Sequence, residues 1–164
     1  MAITKIQSES LNLADDFTFT GTVAGAGGGK VLQVVTATDS AQRNTTSTSF
    51  VTNSNTLTVS ITPSSTSNKV FVICHTTLGK TTGGDYASAT IFRGATNLGN
   101  ATYGLISAYS DSGSNRMPGC MTILDSPNTT SATTYQVYYR ASSNSADLNW
   151  GGNISVITAF EIEG

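Results

Sequence analysis

The sequence predicts an all-β protein: an antiparallel β-sandwich, jelly-roll-like, with an extended N-terminal arm. Three observations lead there. Ser, Thr and Asn fill 60 of the 164 positions, while only 11% of residues are charged, against about 25% in an ordinary globular chain. Thr is β-branched and suits a pleated sheet, and Ser and Asn compete for backbone hydrogen bonds and favour turns. Short apolar segments of two-residue period recur between turn residues. No stretch holds a 3.6-residue period between helix caps, and the nearest, residues 104–110, is too short.

Residues 1–29 stand apart as an arm. Leu11 and Leu13, then Phe17 and Phe19, are separated by polar residues, and the stretch ends in AGAGGG before Lys30. Glycine offers no side chain to pack and the widest backbone freedom, so residues 25–29 read as a hinge. An arm with apolar residues at Ile3, Ile6, Leu11, Leu13, Phe17 and Phe19 is expected to bury them on a neighbouring subunit or a larger assembly. The competing reading makes it the first strand of the sandwich itself.

Residues 30–164 form the expected head domain. Residues 30–36 (KVLQVVT) and 48–51 (TSFV) open it. Residues 56–62 alternate Leu57, Val59 and Ile61 with hydroxyl residues. Residues 69–78 are nearly continuous in apolar character, as in a strand buried on both faces or central in a sheet. Residues 86–93 set Ala87, Ala89 and Ile91 against Tyr86, Ser88, Thr90 and Phe92. Residues 120–124, 134–141 and 153–162 complete the set, the last with Ile154, Val156, Phe160 and Ile162 on one face.

The segment SITPSSTSNKVFV, residues 60–72, poses a question of its own, because a loop so rich in hydroxyls could hold a nucleophile. It is echoed in TILDSPNTTSATTYQVYY, residues 122–139. In both, a strand meets a proline (Pro63, Pro127), crosses Ser, Thr and Asn, and re-enters a strand. Proline cannot donate to a ladder and fixes φ, so it stops the first strand, and hydroxyls then satisfy loop backbone locally. Both read as equivalent corners of the sandwich.

Nothing in the sequence assembles a catalytic set, and the chain is expected not to be an enzyme. A phosphate-binding loop needs G-x-x-x-x-G-K followed by Ser or Thr, but Ala24 and Val31 occupy its first and last places. His75, the sole histidine, lacks a G-x-S-x-G partner and is expected to be structural, ending a buried strand. Cys74 and Cys120, each beside an apolar run, are expected to be buried free thiols. With one histidine they make no four-ligand zinc set, so no metal and no cofactor is expected. Asp15 with Asp16, and Glu161 with Glu163, are adjacent acids; the second pair flanks Ile162 and is expected to point to solvent. Asp85 with Asp111 or Asp125 could supply a glycosidase pair only from separate strands. Residues 111–115 (DSGSN) lack the distal Glu of a calcium loop. The N-x-S/T triplets at Asn44, Asn100, Asn128 and Asn153 are what such a composition produces by chance.

A net charge of −2 with scattered Lys and Arg argues against nucleic acid as a partner. No apolar run reaches the roughly 20 residues that span a bilayer, and no secretory leader is expected. Trp150, Tyr103 and Tyr109 are candidate rings for carbohydrate contact, Trp150 because its following glycines permit a sharp turn; packing of Trp150 into the core beside the last strand is the competing and favoured reading.

The series GGGKVLQVVTATDSAQRNTTSTSFV, LTVSITPSSTSNKVFVICH, ATIFRGATNLG and MTILDSPNTTSATTYQVYYRAS, over roughly residues 28–163, resembles a module of structural proteins in tailed bacteriophage virions. The leading ITKIQSESLNLADDFTFTGTV resembles their N-terminal segment. The resemblance implies a virion surface protein, commonly homotrimeric, whose partners are itself and the major capsid protein or another virion protein. It brings no catalytic residues. A capsid decoration (cement) protein fits best, given the lack of a long shaft. A short head or tail fibre, or a receptor-binding module for host glycans, is the alternative.

Overall fold

The computed structural model describes residues 29–164, so the six arm residues from Ile3 to Phe19 lie outside the described residues. Eleven strands are formed among the described residues: β1 (Val31–Asp39), β2 (Arg43–Thr45), β3 (Thr58–Ile61), β4 (Lys69–Lys80), β5 (Asp85–Arg93), β6 (Thr96–Asn97), β7 (Ile106–Ser110), β8 (Asn115–Asp125), β9 (Thr133–Ala141), β10 (Ala146–Leu148) and β11 (Ser155–Ile162).

The eight main strands pair from the inside out. β5 pairs β7, β4 pairs β8, β3 pairs β9 and β1 pairs β11, all antiparallel. Pairing of β4 with β11 and of β5 with β9 then joins them into two sheets. Sheet A runs β1, β11, β4, β8, with short β10 and β2 beside the last residues of β4; sheet B runs β3, β9, β5, β7, with β6 beside the end of β5. The protein is an antiparallel β-sandwich, as the alternation predicted. The Pro63 and Pro127 links both carry the chain between sheets, from β3 to β4 and from β8 to β9, as equivalent corners.

The core lies between the sheets. Val59, Ile61, Ala87, Ala89, Ile91, Tyr135, Val137 and Tyr139 of sheet B face Val70, Val72, Cys74, Leu78, Met121, Ile157 and Ala159 of sheet A, all buried. Sizes are complementary: Tyr139 sits opposite Ala89 in the ladder. Both core tyrosines keep their hydroxyls satisfied. Tyr135 donates to Asp125 Oδ2 at 2.6 Å, and Asn53 Nδ2 donates to Tyr139 Oη at 3.1 Å. Burial first, then the Asp125 contact, raises the Tyr135 hydroxyl well above its ordinary value.

Several expectations are corrected. Residues 104–110 contain a strand, β7, rather than an abortive helix. Of residues 48–51 only Val51 is paired, in an isolated bridge to Tyr139. β8 starts at Asn115, five residues before the predicted 120, and runs through Pro118. That proline is tolerated because β8 pairs only with β4 and is a sheet edge, where a missing donor can face water. His75 does not end a strand; it lies mid-β4 and is exposed. Cys74 is buried as expected, but Cys120, across the ladder from His75, points outward and is exposed; both thiols are free.

The largest correction concerns Glu161, expected in solvent and found 2% exposed. In β11 the inward set is Ser155, Ile157, Ala159 and Glu161; the more apolar set, Val156, Phe160 and Ile162, faces out. The carboxylate is received by the first corner. Ser64 donates through its backbone N–H at 2.6 Å and its hydroxyl at 2.7 Å, and Asn68 Nδ2 donates at 2.6 Å, all to Oε1. Ser64 and Asn68 of the Pro63 corner thus serve as a structural cap. Burial alone would push the Glu161 carboxyl up, but the Asn68 and Ser64 hydrogen bonds outweigh it and hold it below the ordinary value. A depressed folded pKa gives stability that is fully present above the unfolded value and lost as pH falls through the folded one. Glu161→Gln is therefore expected to destabilise the head by roughly 2 kcal/mol at pH 7. In denaturant titrations the gap to wild type should narrow as pH drops below about 4.5.

Candidate interaction surface

The register that turns Glu161 inward builds an apolar face on the outside of sheet A. Val34 pairs Phe160, Phe160 pairs Phe71 and Phe71 pairs Leu124, so these four side chains form one outward row across the sheet. Phe71 and Phe160 pack with ring centroids 6.1 Å apart. Val31, at the bulged start of β1, extends the row beside Ile162, with Ile73 and Val156 further along. Val34 is 55% exposed, Leu124 54% and Val31 54%. Single exposed apolar residues are ordinary, whereas a contiguous patch marks a contact surface. The chain enters at its border. The Lys30 carbonyl accepts from Glu163 N–H at 2.9 Å, and a side chain at Gly29 would meet Ile162 Cγ2 at 3.7 Å.

The far end of this face is closed by a polar clasp. Asn44, Asp147, Gly79 and Arg116 share one ladder row. Arg116 crosses β4 over Gly79 to reach Asp147 Oδ2, through Nη2 at 2.9 Å and Nε at 3.1 Å. Asn44 Nδ2 holds the other oxygen at 2.7 Å. A Cβ at residue 79 would lie 2.4 Å from Arg116 Cγ, so the crossing requires glycine there. Trp150, in the short 3-10 turn Trp150–Gly152, lays its ring on this guanidinium, 3.3 Å from Cζ to ring centroid. One face of the indole is thus taken by Arg116.

The other two rings put forward for carbohydrate contact lie on the outer face of sheet B. Tyr109 pairs Tyr86 across β7 and β5, and Tyr103 packs on Tyr86 with centroids 5.0 Å apart. Tyr103 and Tyr109 are exposed and share one platform; Trp150 belongs to the other sheet. Between the free edges of β7 and β8 runs a cleft of about 250 Å³, lined by Leu78, Ile106, Met117, Pro118 and Gly119 among others. Among the described residues no three His, Cys, Asp or Glu side chains converge as a metal centre would need. Asp85, considered for hydrolysis, is instead held by Lys80 Nζ at 3.0 Å and by the Ser143 hydroxyl. Asp125 receives Arg93 Nη1 at 2.8 Å on each oxygen. Both acids are engaged in joints of the fold.

The sequence leaves Val34 and Leu124 assigned to neither face, expects Phe71 in a strand buried on both faces or central in a sheet, and puts Phe160 on one face with Ile154, Val156 and Ile162. The signal that could have separated them is that β1, β4, β8 and β11 carry apolar residues at both parities, more than a two-layer sandwich can bury.

No protein-family model and no curated protein matches the chain.

Two outcomes are expected here. Gly79→Ala should displace Arg116, weaken the head by about 3 kcal/mol in chemical denaturation and shift the emission of Trp150, the sole tryptophan. In the native protein a thiol reagent should titrate Cys120 alone. Burial pushes the Cys74 thiol up to about 12, so the second equivalent should react only after unfolding.

Proposed function

We propose that this chain is a structural protein of a tailed-bacteriophage virion. In this reading it decorates the capsid as a homotrimer of β-sandwich heads, anchored through the N-terminal arm, and performs no catalysis. The observation that carries the reading is the apolar outer face of sheet A, bordered by the point where the arm joins the head. An adhesive face and an apolar arm at one site suit a protein that coats a large particle, since many weak contacts multiply when copies are held together. The near-neutral hydroxyl surface limits repulsion between crowded copies. Three of the four segments that carry the sequence resemblance fall on joints of the sandwich, the two Pro-containing corners and the β5–β6 turn, and the fourth covers β1 and β2. The nested pairing of first strand with last, second with second-last, further supports a jelly roll.

The Tyr86, Tyr103 and Tyr109 platform favours a second reading, a short fibre or receptor-binding module that stacks host glycans on these rings. Trp150 suits that role less, because Arg116 covers one side of its ring.

Deleting residues 2–24 is expected to leave the melting transition of the head within a few degrees of the full chain and to abolish co-sedimentation with intact virions. Retained attachment would refute arm anchoring. Electron microscopy of gold-labelled protein confined to tail tips, or attachment lost on Tyr103→Ala with Tyr109→Ala, would favour the fibre reading instead.

A further inference from the structure

We infer that the apolar outer face of sheet A is the docking surface for residues 11–23 of its own chain in the unassembled protein. The face is built but uncovered among the described residues: Val34, Phe160, Phe71 and Leu124 cross it in one row, with Val31 and Leu124 each 54% exposed. Gly29 lies against Ile162, at the corner of the face, so the preceding residues arrive at its edge.

Reach and pattern agree. The six residues AGAGGG span up to about 20 Å when extended, and a four-stranded sheet is about 15 Å across at roughly 4.8 Å per strand gap. Val23 can therefore be placed over any strand of the sheet. Before the hinge, Leu11, Leu13, Phe17, Phe19 and Val23 fall on odd positions together with Asp15 and Gly21, and Asn12, Ala14, Asp16, Thr18, Thr20 and Thr22 fall on even ones. In an extended chain the two sets would face opposite ways, offering the face a mostly apolar side whose one charge is Asp15, and a mostly polar side to water. Lys69, exposed at the same end and opposite Ile162 in the ladder, offers a counter-charge to Asp15. Tethering decides between the chain's own segment and a neighbour's. A short flexible linker gives an effective concentration in the millimolar range, far above that of free copies in dilute solution. When copies crowd together that advantage falls, and the segment becomes available to another surface.

The native Cys120 supplies the probe. It is exposed on this same outer face, four residues or about 13 Å along β8 from Leu124, while Cys74 is buried. A nitroxide on Cys120 of the full ¹⁵N-labelled chain is expected to broaden the amide signals of residues 11–23 at least twofold relative to the reduced spin label. In a mixture of spin-labelled unenriched chain with unlabelled ¹⁵N chain, those signals should be unchanged. Phe17→Ser with Phe19→Ser should remove the effect while leaving the signals of residues 30–164 in place. No broadening in the first sample overturns the inference. Broadening in the mixture overturns it in favour of another copy's segment, and broadening that survives the double variant overturns it as non-specific.

Discussion

The inward turn of Glu161 sets the rest of the surface. Side chains alternate along a strand with a period of two, so one inward residue fixes every other. With Glu161 inside, Ile157 and Ala159 join the core, and Phe160 and Ile162 must face out. A carboxylate there would be costly without partners, and the Ser64 and Asn68 donors of the corner supply them. The opposite register would bury more apolar surface from β11 but leave Ser64 and Asn68 without their acceptor. The hydroxyl-rich corner thus selects a register that keeps an apolar face outside.

The same economy governs the other charges. Arg93 with Asp125, Arg116 with Asp147, Lys80 with Asp85 and Arg43 with Asp39 are paired, and in each the acid is mostly buried. These pairs lie at joints: the β8 to β9 corner, the crossing over Gly79, the β4 to β5 link between the two sheets and the end of β1. Buried ion pairs add little net stability over apolar packing but penalise wrong arrangements heavily, because a stranded charge is expensive. Charge is used here to hold geometry, and the water-facing surface falls largely to Ser, Thr and Asn. Such a surface stays solvated without strong repulsion between copies, which agrees with the proposed crowding on a particle.

The two faces of the sandwich differ in kind. Sheet A presents aliphatic and phenyl side chains in ladder rows; sheet B presents a tyrosine platform at β5 and β7 and the stacked Phe92 and Tyr138, 4.0 Å apart. The first suits contact with protein, since aliphatic rows match the interior of another fold, and the second suits ring stacking against polar ligands. Closure of one end by the Trp150 and Arg116 clasp leaves the apolar area of sheet A at the opposite end, where the chain enters.

The sequence by itself determined the all-β class, both Pro-containing corners and the inward sets of β3 and β5, because these rest on local sterics and on alternation that is clean within each segment. It did not determine β7, whose five residues ISAYS are too short to carry a period, or the start of β8, where Pro118 is permitted only by an edge position. Above all it could not say which side of β11 or β4 faces the core. Val156, Phe160 and Ile162 compete with Ile157 and Ala159 for the interior, and the outcome depends on a cap more than ninety residues away in the chain. Only the tertiary structure brings Ser64 and Asn68 to Glu161, and a contact of that range leaves no trace in the local pattern.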